Sequence, residues 1–594
     1  MKSNLAIKTF FFLVVVVLMC SCKKYLEKPV SSDVTLNDVF SSKDKTEQAL
    51  WNVYSTALIY EFPYFYSGSD FSHYHYGNHW GLLAIATDEA SQGIGNYAGP
   101  AYMNVGNWGP SGGNSIKYLE FDSWYCYRGI RNANIFIENV DKSPFSDSER
   151  AAMKAEAIFL RALMHFDLMQ RLGGVSIVDK TLKVSSAEDI QGIKVPRSTL
   201  KETVDFIVSQ CDESAKNLPV TYESKYRGRI TKGAALALKS RTLLYAASPL
   251  WNSNEPYVPV GDPKLRELVG YPSYDASRWQ LAADAAKAVL DWATNESGGC
   301  VLYKGIADYA DNYEQIFLSP YVPEIILDAG YGGLTTDNYF IRFMTPGKLV
   351  YGGVDPVNHA MTFNYAKFYQ KKDGTEQVWD EKEGVQYPYS TYKTKLQELD
   401  PRFQATVFYS GQEWVKGSGT KYDFYASKDK LLDQYNGVGF LRKFVKGAAT
   451  SKPAPRWITF RLAEFYLNYA EALNEVNGNP NAITEAVNEI RRRAGMPDIT
   501  YTNQADMRER IRRERNVEFA FEQQRFFDVR RWKIAGDEGV MKGGMWELKL
   551  NAGGGNPYYT LQKFQSRVWD DKMYLYPFKQ EEVDKGYIVQ NPGW

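Results

Sequence analysis

Two short segments place flat aromatic side chains next to amides and a carboxylate, a combination that suits the binding of sugar rings. Sugar rings present C–H faces that stack on Tyr and Trp, and their hydroxyl groups need Asn, Asp, Gln or Arg beside the aromatic surface. Residues 102–108 (YMNVGNW) supply Tyr102, Asn107 and Trp108. Residues 331–340 (YGGLTTDNYF) supply Tyr331, Asp337, Asn338 and Tyr339. We predict that these side chains contact a glycan; alternatively, the aromatics only pack the two loops onto a scaffold.

One histidine cluster, HYHYGNHW, has a spacing that could suit a metal ion. It contains His73, His75 and His79, and no Cys or acidic ligand lies within the motif. The helical H-E-x-x-H pattern of zinc proteases is also absent. We therefore favour a hydrogen-bonding aromatic loop over a metal site and expect no cofactor. Trp80, which follows the cluster, is a further candidate for glycan stacking.

Two pairs of carboxylates raise the question of glycoside hydrolysis. They are Glu156 with Asp167 and Glu518 with Glu522. Hydrolysis needs two carboxyl groups that face each other across a cleft at roughly 5 to 10 Å. Both pairs lie in helical segments crowded with arginine: Arg161, Arg171, Arg515 and Arg525. We expect ion pairing on the scaffold instead, and no enzymatic activity.

The amino-terminal segment has the features of a lipoprotein signal peptide. Lys2 and Lys8 precede an almost wholly apolar run, Phe10 to Met19, whose ten or so residues are about half the length needed to span a bilayer. A basic start before a short apolar run is typical of a secretory signal. Ser21 is the small residue that lipid attachment requires before Cys22. We predict cleavage after residue 21 and lipidation of Cys22; the alternative is a plain secreted protein.

The composition excludes several other classes of protein. The chain has 594 residues, with 70 basic and 70 acidic side chains, so its charge gives no case for nucleic acid as a partner. Beyond the signal region it has Cys126, Cys211 and Cys300, which are far apart and lack C-x-x-C spacing. This pattern argues against both a disulfide framework and a zinc site.

Helical periodicity dominates the rest of the sequence. Apolar residues from Ala155 to Met169 recur at the spacing of one helix face, and Ser146 with Glu149 forms a capping box before them. Thr199 and Glu202 form a second box. Further helices are predicted near residues 231–248, 276–294, 462–473, 483–490 and 505–532. Antiparallel helix pairs would place small residues at their contacts: Ala162, Ala235, Ala470 and Ala486.

The helical pattern predicts a mainly α fold, a helix-pair solenoid with long insertions. The insertions, residues 60–125 and 296–456, are rich in Gly, Asn, Tyr and Trp and have little helical period. Long loops in a compact protein are usually functional.

Several segments, in order along the chain, resemble the SusD/RagB family of outer-membrane nutrient-binding lipoproteins. They are KAEAIFLRALMHFDLMQRLGGVSIV (154–178), RITKGAALALKSRTLLYAASPLW (229–251), RLAEFYLNYAEALNE (461–475), IRRRAGMP (490–497), IRRERNVEFAFEQQRFFDVRRW (511–532) and the ending YLYPFKQEEVDKGYIVQNPGW. The resemblance implies about four tetratricopeptide-like helix pairs. Regions 22–250 and 251–594 would be the amino- and carboxyl-terminal family regions, the second including the insertion 296–456.

The same resemblance implies a location, a partner and a ligand. The protein would lie on the outer face of the outer membrane, held by its lipid. It would cap a SusC-like TonB-dependent transporter and deliver captured oligosaccharide to it. In this family the ligand surface is built from an early loop and a later insertion, which matches the positions of 102–108 and 331–340. A RagB-like role in peptide import remains the alternative.

Overall fold

The computed structural model describes residues 35–58, 82–93, 99–111, 123–184, 189–319, 321–329, 346, 359–425, 436–445 and 457–594. In these ranges, ten helices build a helical body: α1 (Lys43–Leu58), α2 (Ser123–Asn139), α3 (Asp147–Leu172), α4 (Leu200–Asn217), α5 (Lys232–Ala247), α6 (Ser277–Asn295), α7 (Leu462–Glu475), α8 (Pro480–Arg493), α9 (Gln504–Glu518) and α10 (Gln524–Arg531).

The helices associate as consecutive pairs. Within the described part of the chain there are four pairs, α1 with α2, α3 with α4, α5 with α6 and α7 with α8. Neighbouring pairs stack through α2 on α3, α4 on α5 and α6 on α7, and α9 packs on α7. The predicted tetratricopeptide-like scaffold of about four pairs is therefore confirmed.

Local sequence explains where the predicted helices begin and end. The Ser146 side chain accepts from the Glu149 N–H while Glu149 accepts from the Ser146 N–H, so two unpaired amides at the start of α3 are satisfied. Thr199 and Glu202 form the same box at the start of α4. Helix α3 ends at Gly173, whose φ of +81° favours glycine. Asn479 caps α8 just before Pro480.

Helices α1 and α2, which form the first pair, were not predicted from the sequence. Helix α1 buries Leu50, Val53 and Ala57 on one face, a spacing that its sequence does contain. Helix α2 begins at Ser123, at the edge of the first insertion.

A second body is assembled from the insertions and from the carboxyl-terminal part of the chain. Its strands are β1 (Ala90–Gln92), β2 (Ile325–Asp328), β3 (His359–Met361), β4 (Gln386–Pro388), β5 (Val407–Phe408), β6 (Gln412–Glu413), β7 (Lys421–Tyr422), β8 (Gly439–Leu441), β9 (Ile458–Arg461), β10 (Gly543–Asn551) and β11 (Tyr558–Arg567). Shorter helices elsewhere in the described chain are Leu36–Val39, Gly99–Asn104, Asp189–Gly192, Pro263–Val269, Tyr309–Leu318, Phe363–Ala366, Tyr389–Gln397, Pro401–Thr406 and Gln580–Val583.

Strand pairing joins the two insertions. The sheet order is β1-β3-β8-β5, and antiparallel β1 and β3 pair Ala90 with Met361 and Gln92 with His359. A second sheet has the order β10-β11-β4. Strands β2 and β9 form one two-stranded sheet, and β6 and β7 form another. Pairing of β1 with β3 brings the early and the late insertion into one structure.

Each body has its own apolar core. The core of the helical body takes residues from Phe40 to Phe578, so it draws on both halves of the sequence. The core of the second body is strongly aromatic, with Tyr313, Tyr365 and Tyr369 all fully buried. Part of the high aromatic content is thus core. The proposed division of the chain at residue 250 stays a prediction. In the residues searched, no helix combines the length and apolarity needed to cross a bilayer.

Candidate functional site

A polar cleft opens where the flanks of the two insertions meet the helical body. Leu83, from the first insertion, lies on its wall, together with Trp457 and Thr459, which directly follow the second insertion. The remaining wall comes from α3, α5, α7, α9 and the turn into α10. The polar groups are four guanidinium groups, three carboxylates and three amides: Arg171, Arg241, Arg461, Arg515, Asp167, Glu464, Glu522, Gln170, Gln523 and Gln524.

The charged groups of the cleft are held in place by one another. Arg241 donates to both carboxylate oxygens of Glu464, at 2.7 and 2.6 Å, and to the Thr459 carbonyl at 2.7 Å. Arg171 pairs with Asp167 one turn earlier on α3. Paired charges keep their positions, while hydroxyl-rich molecules can still bond to the neighbouring amides. This cleft is therefore suited to a polar, uncharged ligand surface.

The turn between α9 and α10 brings glutamine side chains to the cleft. Phe521 and Gln523 both have φ of +63°, a conformation that is uncommon for residues other than glycine. The Gln523 side-chain oxygen accepts from the Leu83 N–H at 3.3 Å. Left-handed residues persist only where surrounding contacts hold them, and they concentrate at functional sites. The turn thus links the first insertion to the helical body at the edge of the cleft.

The first predicted segment forms a short helix, Gly99–Asn104, followed by a tight loop. The Asn107 N–H donates to the Tyr102 carbonyl at 3.0 Å, and Gly106 has φ of +69°. Asn107 is exposed and Tyr102 is half-buried. The segment therefore does bring Tyr102 and Asn107 close together on the surface.

Trp108 has a different environment from its neighbours in this segment. Its side chain is only 7% exposed. Its ring makes edge contacts with Tyr576, at 4.8 Å between centroids, and with Trp594, at 5.0 Å. Such aromatic contacts fix the loop on the carboxyl-terminal segment. Packing, the alternative considered from the sequence, describes what Trp108 does in this conformation; its contact with a glycan stays a prediction.

The other predicted contacts fall outside the described residues. These are Trp80, Tyr331, Asp337, Asn338 and Tyr339, and they stay predictions. Cys22 and the cluster of His73, His75 and His79 also lie outside. In the ranges that are described, no group of three His, Cys, Asp or Glu side chains is arranged to hold a metal ion. Cys126, Cys211 and Cys300 form no disulfide in the described part of the chain.

Comparison with known proteins assigns the chain to a family. The sequence model described as "SusD family" matches residues 314–594, and the one described as "Starch-binding associating with outer membrane" matches residues 113–244. The chain belongs to the SusD family. Carbohydrate binding and association with the outer membrane are properties of that family.

Individual relatives agree with this assignment. SusD-like protein P38 of Formosa agariphila is 24% identical over 436 residues, which are 70% of this chain and 72% of that protein. A SusD-like protein from Bacteroides fragilis NCTC 9343 has the same fold, with a TM-score of 0.73 at 24% identity over 94% of this chain and 98% of its own. A SusD-like carbohydrate binding protein from the same strain has a TM-score of 0.67 at 21% identity, covering 93% of this chain and 99% of its own.

The carboxylate pairs of this SusD-family chain are bound to cations, as expected. Fully buried Glu156 accepts from Arg229 at 3.1 Å and from the Tyr222 hydroxyl at 3.1 Å. Glu518 is bonded by Arg402 at 2.9 Å, by Arg461 at 2.5 Å and by Arg493. Although burial raises the pKa of Glu518, these three guanidinium groups hold it well below its usual range. A carboxyl group with this pKa has no proton to donate to a leaving group near neutral pH.

Glu522 has a similar environment one turn further on. It accepts from Lys443 at 2.6 Å and from two Arg461 nitrogens at 2.8 Å. Of the arginines named from the sequence, Arg171 does pair with Asp167. Arg515 and Arg525 instead pair with Asp528 and Asp88, and Arg161 bonds to Asn134 and Gln210. Ion pairing is confirmed for the carboxylate pairs and for Arg171, Arg515 and Arg525, whereas the side-chain partners of Arg161 are uncharged amides.

The cleft itself was not predicted from the sequence. Its residues come from at least six separate segments, so no local spacing reveals it. One signal was available, because Gln523 and Gln524 lie in FEQQRFF, within the most specific of the family-like segments. A polar turn between two helices, inside a segment that resembles a family, is a candidate for function as well as for packing.

Proposed function

We propose that this protein is a lipid-anchored glycan-binding protein of the cell surface, which captures oligosaccharide and delivers it to a SusC-like TonB-dependent transporter. The observation that carries the proposal is a polar cleft where Leu83 of the first insertion meets residues that directly follow the second insertion, in a chain of a carbohydrate-binding family. Lipidation of Cys22 would place the protein at the outer membrane, facing the exterior. The glycan-contact residues are proposed to be Trp80, Tyr102, Asn107, Trp108, Tyr331, Asp337, Asn338 and Tyr339.

The physical requirements of glycan capture agree with the described site. Sugar hydroxyl groups donate and accept, so a surface of amides and already paired charges binds them without burying an uncompensated charge. Exposed Asn107 and half-buried Tyr102 are joined by a backbone hydrogen bond, so one loop carries both an amide and an aromatic ring. The bonded state of the carboxylates supports a role in binding, not in hydrolysis.

Binding is tested on the full mature protein with four soluble polysaccharides: starch, laminarin, xylan and polygalacturonate. Native gels containing each polymer should show retarded migration with at least one of them. The double variant Tyr102→Ala/Asn107→Ala should lose most of the retardation, whereas Tyr274→Ala, which truncates an exposed tyrosine outside segment 102–108, should not. Migration unaffected by any polymer, together with calorimetric binding of a mixed peptide pool, would contradict glycan capture and favour peptide import.

Anchoring and delivery need separate measurements. Cys22→Ala should release a folded protein from the outer membrane into the soluble fraction, with polysaccharide retardation unchanged. Protein that remains in the membrane fraction after this change would contradict lipidation of Cys22. Co-purification of the wild-type protein with a SusC-like transporter from native outer membranes tests the proposed partner, and absence of any complex would contradict the delivery role.

A further inference from the structure

Three exposed aromatic rings lie next to the arginines of the loop between α4 and α5. They are Trp51 on α1, Tyr226 between α4 and α5, and Tyr321, with exposed fractions of 45%, 40% and 61%. We call these three residues the aromatic strip. Exposed aromatics that occur singly need no explanation, whereas a cluster of them marks a binding surface.

Two rings of the strip lie next to a buried group of side chains that are hydrogen-bonded to Glu156. Glu156 is wholly buried and accepts from the hydroxyls of Tyr54 and Tyr222 and from Arg229. The Arg229 guanidinium carbon in turn lies 5.9 Å from the centroid of the Trp51 ring and 5.7 Å from that of Tyr226. Two rings of the strip are thus placed around a guanidinium group that a buried carboxylate holds in position. A preorganised surface loses little freedom when a ligand binds.

Positively charged side chains lie close to the rings of the strip. The Lys225 ammonium lies 4.7 Å from the Tyr226 ring and pairs with Glu223 at 3.2 Å. The Arg227 guanidinium lies 4.3 Å from the Tyr321 ring. Each ring of the strip therefore has N–H donors beside it, and the surface alternates between apolar faces and polar groups.

This alternation decides between the possible occupants. An apolar protein surface would cover the rings but would also bury the Lys225–Glu223 ion pair and the N–H donors of Arg227, which costs free energy. A saccharide chain satisfies both kinds of group, because its C–H faces stack on the rings and its hydroxyl oxygens accept from the cations. We infer that the aromatic strip is a second saccharide-contact surface, separate from the cleft and from segments 102–108 and 331–340.

The inference rests on the proposed function and extends it. One long polysaccharide chain that touches both surfaces is held more tightly than by either one, because the second contact is made within the same complex. A short oligosaccharide bound at one surface gains nothing from the other. The strip should therefore raise the affinity for polymers and leave the affinity for short oligosaccharides at the first surface unchanged.

The test compares strip variants with the wild-type mature protein on the same four polysaccharides. Trp51→Leu removes the flat ring but keeps apolar packing against Tyr54. Tyr226→Ala and Tyr321→Ala truncate rings that take no part in the hydrogen bonds to Glu156. Tyr274→Ala is the matched control, with an exposed ring outside the strip. Circular dichroism and urea unfolding confirm that each variant is folded.

In calorimetry the strip variants should bind the retarding polysaccharide roughly tenfold more weakly. Their dissociation constant for a four-unit fragment of that polymer should change by less than about twofold. Equal polymer affinity in the wild-type protein and the strip variants would overturn the inference that the strip contacts saccharide, while leaving the proposal of glycan capture intact. Unchanged polymer affinity with lost transporter co-purification would show that the strip contacts protein and would also overturn the inference. If the wild-type protein bound none of the four polymers, the result would count against both proposals.

Discussion

The helical body and the inserted body are held together in different ways. In the helical body, apolar stripes on each helix meet those of its sequence neighbours, as α3 meets α4. In the inserted body, short strands pair across large sequence distances, as β1 pairs with β3 about 270 residues later. Its core relies on rings in edge contact, such as Tyr369 with Phe403 at 5.2 Å. Local patterns therefore determine the scaffold, whereas distant contacts determine the surface that it carries.

A buried ion network connects the two bodies. Glu518 at the end of α9 bonds Arg402 of the inserted body, Arg461 of β9 and Arg493 of α8. Arg402 also bonds Asp400 and Glu514, and all of these side chains are fully or almost fully buried. A buried ion pair is weak evidence for net stability, but removing one partner leaves costly uncompensated charge. The network is thus the place where the comparison between the bodies can be tested most strongly.

The largest effect is expected for Glu518→Ala. The change leaves three buried guanidinium groups facing one another without their shared carboxylate, which should cost about 3 to 5 kcal/mol of unfolding free energy. Urea unfolding followed by tryptophan fluorescence measures it. Glu485→Ala is the control, since Glu485 pairs with Arg492 on an exposed surface and should change the midpoint little. Equal effects of the two changes would contradict the central role of the network.

Trp108→Ala should have the next largest effect. Loss of a buried ring between Tyr576 and Trp594 should lower the unfolding free energy by about 3 kcal/mol. The exposed ring of Trp51 offers the contrast, because Trp51→Leu should leave the urea midpoint almost unchanged. If Trp108→Ala instead unfolds like the wild type and loses polysaccharide retardation, the ring serves the ligand and not the loop.

The contrast between the bodies also explains what could be predicted from the sequence. The capping boxes at Ser146 and Thr199 and the stop at Gly173 act within a few residues, so both bounds of α3 and the start of α4 follow from local chemistry. Strand β10 and its turn at Gly553 were not predicted, because alternation in WELKLN is too short to separate from loop sequence. The partners of Glu518 come from residues 402, 461 and 493, and no spacing rule connects such positions.

The candidate site could be predicted only in part for the same reason. Residue types in 102–108 indicated an aromatic surface with amides, and Tyr102 and Asn107 do lie together. The difference between exposed Asn107 and buried Trp108 depends on the carboxyl-terminal segment, more than 450 residues away in sequence. Burial of a loop side chain is a property of the whole fold, and composition cannot supply it.

Glu89 provides a pH test within the inserted body. It is fully buried, and its one bonded oxygen accepts from the Phe521 N–H. Burial raises the pKa of Glu89 to about 8, so the folded protein holds this proton at neutral pH. The unfolded chain releases it near pH 4.5, and stability should therefore fall as the pH rises from about 4.5 to 8.

The measurement compares urea midpoints of wild-type protein and Glu89→Gln at pH 5, 6, 7 and 8. The glutamine oxygen can still accept from Phe521, but the side chain cannot ionise. The urea midpoint of Glu89→Gln should decline less with rising pH than that of the wild type. The difference in midpoint, variant minus wild type, should therefore be larger at pH 8 than at pH 5. Parallel curves for the two proteins would show that Glu89 does not titrate in this range.

The smallest effect should come from local chemistry in the helical body. Ser146→Ala removes the side-chain acceptor at the start of α3 and should cost about 1 kcal/mol, the usual value for a lost cap. Ser209→Ala is the control, because Ser209 is exposed in the middle of α4 and caps no helix. Loss of its hydroxyl should have little effect on stability. The cap acts on a helix that packs against both α2 and α4, so its loss should appear in the urea midpoint but not in polysaccharide binding. A loss of binding in Ser146→Ala would mean that the scaffold and the surface it carries are more tightly coupled than their separate cores indicate.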